Sequence, residues 1–303
     1  EEVRDVITVL KSMGKSVVVF EHRFVSLLKL ASSVYLLKNG VLVPVDHERL
    51  RYPRGADPGS IPRLSRGSEV GSSNRYEEVL KARDVWFRYD RSGDWILKGV
   101  NLVISGRKDV VVVYGLNGSG KSTLLKLVAG YLTPMRGRIE KASHVRTIYI
   151  PQNIYLFFTE ESLKKEFEVV CSRHSERESC LEAGIRRLRS LGVDEELSTS
   201  PFNLSWGQAV RAAVSVATSA GSSVVLLMDE PFTGLTYADR LSLAKILDSV
   251  NSPKILTVSN RETVSLVLPA RVYEMKNGHL AEVEPEVDLE VITAAEKCRE
   301  LGM

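Results

Sequence analysis

The sequence predicts an α/β fold: a largely parallel sheet with an antiparallel β piece ahead of it. Three observations carry this. Between about residues 77 and 285, apolar runs (Val110 to Tyr114, Thr147 to Ile150, Val224 to Met228, Ile255 to Val258) alternate with amphipathic helical stretches, the pattern of strands covered by helices. Val79 to Tyr89 and Ile96 to Ile104 read as an antiparallel hairpin. A nine-residue Gly-rich segment, Gly115 to Thr123, follows the run DVVVVY and precedes the helical LLKLVAGYL, which is a strand–loop–helix arrangement.

Composition narrows the class. The chain has 303 residues, 44% hydrophobic and 26% charged, enough apolar material to bury a sizeable core and too much for global disorder. With 41 Lys+Arg against 38 Asp+Glu the net charge is +3, too small to point to nucleic acid by bulk electrostatics. The opening residues lack a basic start followed by an apolar core, so the expectation is no signal peptide, in a chain that is processed or a fragment. No window reaches the 18 consecutive apolar residues of a spanning helix, so any membrane link is expected to run through a partner. Cys171, Cys180 and Cys298 show no metal-ligand spacing, and reduced, non-catalytic thiols in the cytoplasm are expected.

From the N-terminus, residues 1–43 read as helix, strand (Ser16 to Phe20), loop, helix and strand, ending at the turn Lys38-Asn39-Gly40. Such a short piece cannot close a core alone. SVVVFEHRF…SSVYLLKNG aligns without a gap onto KILTVSNRE…ARVYEMKNG at an offset of 238 positions, so that Arg23 meets Arg261 and Val34-Tyr35 meets Val272-Tyr273. A tandem duplication explains this, residues 1–43 being the C-terminal remnant of a first copy. Residues 44–76 have linker composition, with Pro44, Pro53, Pro58, Pro62 and Gly55, Gly59, Gly67, Gly71. Residues 77–285 form one complete α/β domain, and 286–303 read as a polar-faced helix.

The chemistry begins in the loop Gly115-Leu116-Asn117-Gly118-Ser119-Gly120-Lys121-Ser122-Thr123. Glycines let backbone N–H groups curl round phosphates, and the helix N-terminus adds a positive dipole. Lys121 neutralises phosphate oxygens, and the Ser122 hydroxyl can ligate Mg²⁺. The second element is VVLLMDEP, a strand ending in Asp229-Glu230. In a parallel sheet these carboxylates emerge at the C-terminal edge beside the phosphate loop. There Asp229 is expected to hold Mg²⁺ and Glu230 to polarise an attacking water. Alone, two acids after a strand are a common helix start; the loop upstream changes that reading.

Between them lies Leu204-Ser205-Trp206-Gly207-Gln208, followed by Arg211 and a helical run. These residues resemble the signature motif of ATP-binding-cassette (ABC) ATPases. The order phosphate loop, Gln152 loop, signature, Asp-Glu strand is similar to that family across 77–285. The resemblance implies a P-loop NTPase fold of the ABC type, with a RecA-like core, an antiparallel β subdomain and a helical signature subdomain. It also implies head-to-tail dimers sandwiching two ATP molecules with Mg²⁺. By the same resemblance Tyr89 stacks on adenine, and Gln152 senses Mg²⁺ and the attacking water. Gly115, Asn117, Gly118, Ser119, Gly120, Lys121, Ser122 and Thr123 cradle the phosphates. Ser205, Gly207 and Gln208 belong to the part that reaches the γ-phosphate on the opposite domain.

Three positions depart from the family pattern. Trp206 stands where Gly is usual and Thr236 where Asp is usual, and the repeat sets Asn260 opposite His22, the position of the family's switch histidine. Asn donates a hydrogen bond but carries neither proton nor positive charge. The expectation is a slower site at Lys121, Asp229, Glu230 and Asn260, while His22 and Ser205 serve the other.

The switch loop Glu21-His22-Arg23 and the stretch PQNIYLFFTEESLKKEF resemble the ATPase of energy-coupling-factor importers of vitamins and metal ions. That resemblance implies an integral-membrane transport subunit as partner, with the missing first copy or another ATPase domain completing the dimer. It places the chain peripherally at the cytoplasmic membrane face, with no nucleic acid expected. Ile154 to Phe158, apolar and aromatic, suit docking to the membrane subunit or burial in the helical subdomain. Ile154 stands where that group has Pro. A soluble tandem ATPase of translation or ribosome recycling is the alternative. A chromosome-structure or repair ATPase lacks room for its coiled coil here, and a module using ATP only structurally sits poorly with intact Lys121, Ser122, Asp229 and Glu230.

Overall fold

A computed structural model describes residues 2–20, 27, 30–38, 40–45, 78–106, 109–172, 176–193, 197–219, 221, 224–235, 237–267 and 270–284. His22, Thr236, Cys298, most of the expected linker and the expected C-terminal helix lie outside them. The chain divides into two compact units, and each is described by itself.

The first unit contains α1 (Glu2–Ser12) and the antiparallel pair β1 (Val34–Lys38) and β2 (Val41–Val45), with Val34 opposite Val45 and Lys38 opposite Val41. Two sequence expectations change here. Ser16 to Phe20 forms no strand, since a strand exists only by pairing and no neighbour flanks this run among the described residues. The linker cannot begin at residue 44, because Pro44 sits within β2, opposite Tyr35. Proline is tolerated on an edge strand, where its missing N–H has no ladder partner to lose.

In the second unit the chain runs β3 (Glu78–Phe87), β4 (Leu97–Ser105), β5 (Val110–Tyr114), α2 (Lys121–Ala129), β6 (Arg136–Lys141) and β7 (Arg146–Ile150). The helices α3 (Leu163–Cys171), α4 (Arg177–Ser190) and α5 (Trp206–Ser219) follow, then β8 (Val224–Asp229). After α6 (Tyr237–Ser249), which belongs to this unit from Leu243 onward, come β9 (Lys254–Val258), the short α7 (Arg261–Val264), β10 (Arg271–Lys276) and β11 (His279–Val283).

Six strands form the central sheet in the order β11-β10-β5-β9-β8-β7, parallel except for β11. Every residue of β8 and β9 is buried. That burial accounts for their unbroken apolar runs, since a parallel strand covered on both faces has no solvent side to alternate with. A second, antiparallel sheet has the order β4-β3-β6. The hairpin read from the sequence thus gains a third strand, β6, whose RGRIEK sequence lies largely exposed and carries no apolar alternation. Gly137 in β6 has φ 76°, and a Cβ there would stand 2.0 Å from the Asp84 carbonyl oxygen, so only glycine lets β6 close on the bulge of β3.

The three helices α3, α4 and α5 pack on one another. Gly184 of α4 admits the Phe167 ring so closely that a Cβ would come within 2.7 Å of it, and the Ser215 hydroxyl donates to the Gly184 carbonyl at 2.9 Å. A disulfide joins Cys171 and Cys180, correcting the expectation of reduced thiols at these positions. Cys171 ends α3 and Cys180 lies on the buried face of α4, and as α4 packs back against α3 the two Cα atoms come 5.8 Å apart, a bridging distance. Spacing along the chain does not reveal that approach. Alkylation of the denatured protein without reductant should leave both thiols unmodified, and peptide mapping should recover a linked pair. Two separately alkylated peptides would contradict the bridge.

Candidate functional site

β5 delivers the Gly-rich loop and β8 the two carboxylates, both at the C-terminal ends of parallel strands, with β9 between them. Gly115 leaves β5 with its N–H donating to the Val258 carbonyl at 3.2 Å. A Cβ at Gly115 would meet the Met275 carbonyl at 2.3 Å and Ser119 Oγ at 2.9 Å, so this residue must be glycine for the loop to turn here. Gly120 caps α2 with φ 110° and no side-chain bond. The first N–H groups of α2 therefore lack a side-chain cap, a setting that attracts an anion. The Ser119 hydroxyl is buried and accepts or donates no hydrogen bond.

Lys121 is buried at the mouth of the loop. Its ammonium donates to the Gly115 carbonyl at 2.6 Å and the Leu116 carbonyl at 3.1 Å, and lies 3.3 Å from Glu230 Oε1. That oxygen is buried and accepts no hydrogen bond. Glu230 Oε2 accepts from the Ser259 N–H at 2.9 Å, its hydroxyl at 3.1 Å and, more weakly, Thr233 Oγ1 at 3.5 Å. Glu230 itself stands at φ 50°, a left-handed conformation that costs a non-glycine residue and turns its carboxylate toward the loop.

Asp229 is fixed on both oxygens. Thr257 Oγ1 donates to Oδ1 at 2.7 Å, and the Tyr149 phenol donates to Oδ2 at 3.0 Å. Burial first, and then the Asp229 charge, raise the Tyr149 phenol above its ordinary pKa, so it stays protonated as a donor. The Glu230 N–H in turn donates to Thr257 Oγ1 at 3.0 Å. Neither Tyr149, Thr257 nor Ser259 was singled out from the sequence. Polar residues inside the apolar runs of β7 and β9 are the signal that could have marked the first two.

The other expected residues fall into three groups. Asn260 follows Ser259 at the end of β9 and its carbonyl accepts from the Thr263 N–H at 3.2 Å. Chain connectivity therefore carries it to the Glu230 side of the loop. Gln152, exposed, follows β7, whose Ile150 pairs with Met228 just before Asp229, so Gln152 sits at the same sheet edge. Tyr89 lies past β3, exposed, with its hydroxyl 3.4 Å from Thr123 Oγ1 and its ring edge-on to Phe87 at 5.1 Å. Ser122, half-buried, opens α2 next to Lys121, and Asn117 and Gly118 form the loop tip.

Ser205 and Gln208 form a reciprocal cap on α5. Gln208 Oε1 accepts from the Ser205 N–H at 2.9 Å, and Ser205 Oγ accepts from the Gln208 N–H at 3.3 Å, satisfying two helix-end donors. Gly207 lies between, its carbonyl accepting from Arg211 Nε at 3.0 Å. Trp206 stacks edge-on against Tyr155 at 6.0 Å, while the Tyr155 hydroxyl donates to the Leu204 carbonyl at 2.8 Å. Of the segment expected either to dock or to be buried, Ile154 and Phe158 are buried and Leu156 is exposed. Glu166 steadies this loop, accepting from the Thr159 and Glu160 N–H groups at 2.5 and 2.6 Å. Burial raises its carboxyl above the ordinary pKa despite those bonds.

Arranged together, a Gly-rich anion cradle, a buried ammonium and two fixed carboxylates can hold a phosphate chain and a hard divalent cation. Comparison with known proteins agrees. The ABC transporter family profile matches residues 97–233. A putative ABC transporter ATP-binding protein of Sulfurisphaera tokodaii is 27% identical over 309 residues, covering 93% of this chain and 61% of that protein. Another from Pyrococcus abyssi is 29% identical, covering 69% and 85% respectively. The zinc import ATP-binding protein ZnuC of Rhizobium johnstonii is 29% identical over 54% of this chain and 51% of its own. The chain spans about half the length of several of these relatives. The solved structure of cbiO1 from Clostridium perfringens, part of the ABC transporter complex cbiONQ, superposes with TM-score 0.60 at 23% identity, covering 74% of this chain and 94% of that one, a likeness of fold. The profile spans the phosphate loop, the signature and the Asp229-Glu230 strand, so residues 97–233 of the chain belong to the ABC transporter family.

Proposed function

We propose that the chain binds ATP with Mg²⁺ at residues 115–123 and hydrolyses it, powering an ABC importer through closure of a head-to-tail ATPase dimer. The observation that carries this reading is the buried Lys121–Glu230 contact at 3.3 Å beside a loop whose Ser119 hydroxyl has no partner. A buried cation, a buried hydroxyl and a carboxylate oxygen that accepts no hydrogen bond meet at one loop, a set suited to a phosphate chain and to water beside it. Tyr89 suits the adenine ring and the loop amides suit the phosphates, with Lys121 as counter-charge. Ser122, Asp229 and Gln152 would hold Mg²⁺, which when bound supplies positive charge to the transferring phosphoryl group. Glu230 accepts a proton from the attacking water. Ser205 and Gly207, at the start of α5, suit a γ-phosphate on the facing domain.

Within importers, the energy-coupling-factor and cobalt type is favoured by the internal repeat and the Glu21-His22-Arg23 switch. The relatives named for zinc and molybdenum import, the latter a ModC of Mycobacterium tuberculosis, point toward a metal as cargo. Exposed Leu156, beside half-buried Tyr155 and Phe157, suits a membrane subunit. Among the described residues no helix is long and apolar enough to cross a membrane. The translation-factor alternative is not favoured, since these relatives are import ATP-binding proteins by name.

Calorimetric titration of the purified chain with ATP and Mg²⁺ tests the reading: saturable binding is expected, and its absence would overturn it. A finer expectation concerns Asn260. In the assembled ATPase, Asn260→His should raise single-turnover hydrolysis at this site, by ~10-fold or more given typical proton-transfer contributions. No gain would remove the case for a slow site.

A further inference from the structure

We infer that residues 16–20 and 34–38 flank a slot for one further parallel strand. Its occupant is the apolar strand leading into the phosphate loop of a second ATPase core, encoded N-terminal to residue 1 in the same polypeptide. The identity of that core rests on the function proposed above. The two hairpins of the chain share one register: Val34 faces Val45 as Val272 faces Val283, and Lys38 faces Val41 as Lys276 faces His279. The constant offset read from the sequence therefore holds in backbone pairing.

In the later copy, β5 lies between β9 and β10 and hydrogen-bonds to both. The counterparts of β9 and β10 in the first unit are residues 16–20 and β1, and no strand lies between them among the described residues. Exposure follows the missing neighbour. Leu256, Val258 and Met275 are 0%, 2% and 1% exposed, whereas their counterparts Val18, Phe20 and Leu37 are 80%, 81% and 58% exposed. Tyr273 is buried and Tyr35 is not. The same sequence positions are core in one copy and bare in the other, which marks a sheet face built for a strand.

A second copy of this chain does not fit, because its β5 is already paired on both edges. In the later copy the strand in question precedes β9 and β10 in the same chain. The Sulfurisphaera tokodaii relative, aligned over 93% of this chain, uses only 61% of its own length to do so. Both facts favour an upstream segment over a separate subunit.

The test compares the 303-residue chain with the polypeptide of the whole natural reading frame by hydrogen exchange. Amides of residues 17–20, and those of 34–37 that point away from β2, should exchange freely in the shorter chain. In the longer one they should be protected as strongly as those of 255–258 and 272–275. A second arm uses Val18→Asp, expected to leave the melting temperature of the shorter chain unchanged and to lower that of the longer by ~5 °C or more. Equal exchange in both proteins, protection that appears only when a separately encoded protein is added, or a reading frame with no phosphate loop upstream would each overturn the inference. Failure of ATP to bind in the calorimetric experiment would leave this exchange comparison intact, so the two readings fail separately.

Discussion

Glu230→Gln should keep ATP and all but stop its hydrolysis. The amide preserves the shape of the carboxylate, so its oxygen can still accept from the Ser259 N–H and hydroxyl that now bond Oε2. What disappears is the basic oxygen, Oε1, which today accepts no hydrogen bond and faces Lys121 at 3.3 Å. Without it no group at this position can take a proton from water, and the loss expected for a positioned general base is about 10²–10⁴-fold in single-turnover rate. Affinity should hold or rise, because removing a carboxylate beside the phosphate loop removes repulsion toward a polyanion. The assembled ATPase would then accumulate in its closed, ATP-bridged form, visible as an earlier peak in size-exclusion chromatography with ATP. Normal turnover by this variant would refute the role given to Glu230.

The second large effect is at Lys121. Its ammonium is held by the Gly115 and Leu116 carbonyls and by Glu230, a posture that keeps a cation at the anion cradle. Lys121→Ala removes charge-assisted bonds to the phosphates worth about 1.5–3 kcal/mol each, so ATP affinity should fall by at least roughly tenfold per bond lost. The rise in melting temperature that saturating nucleotide gives the wild type should shrink in proportion. Lys121→Arg should rescue poorly, since a planar guanidinium does not fit where a compact ammonium bends back onto two carbonyls. Unchanged nucleotide binding by Lys121→Ala would move the phosphate site elsewhere.

Much of this site was legible in the sequence because its key residues lie in short contiguous runs. Residues 115–123 carry their own logic of glycines, lysine and hydroxyl, and VVLLMDEP announces a buried strand that ends in acid. The S-x-x-Q spacing from Ser205 to Gln208 also encodes a local helix cap, although its residues were read toward phosphate. β6 stayed hidden because an exposed, charged edge strand shows no apolar period, and its place depends on Gly137 fitting against β3. Ser16 to Phe20 misled for the opposite reason: its β-branched and aromatic run has strand character, but propensity does not supply a pairing partner.

The sequence by itself determined the family motifs and the α/β alternation, since both are written in residues a few positions apart. Only the tertiary structure decided that β9 runs between β5 and β8. That strand order brings Thr257 to Asp229, Ser259 to Glu230 and Lys121 within reach of the same carboxylate. The Cys171–Cys180 bridge and the Tyr155 bond to Leu204 are likewise products of packing. The physical reason is common to all of them. Hydrophobic period and loop composition are properties of neighbours along the chain, whereas the partner of a buried polar group is chosen by which strands and helices pack together.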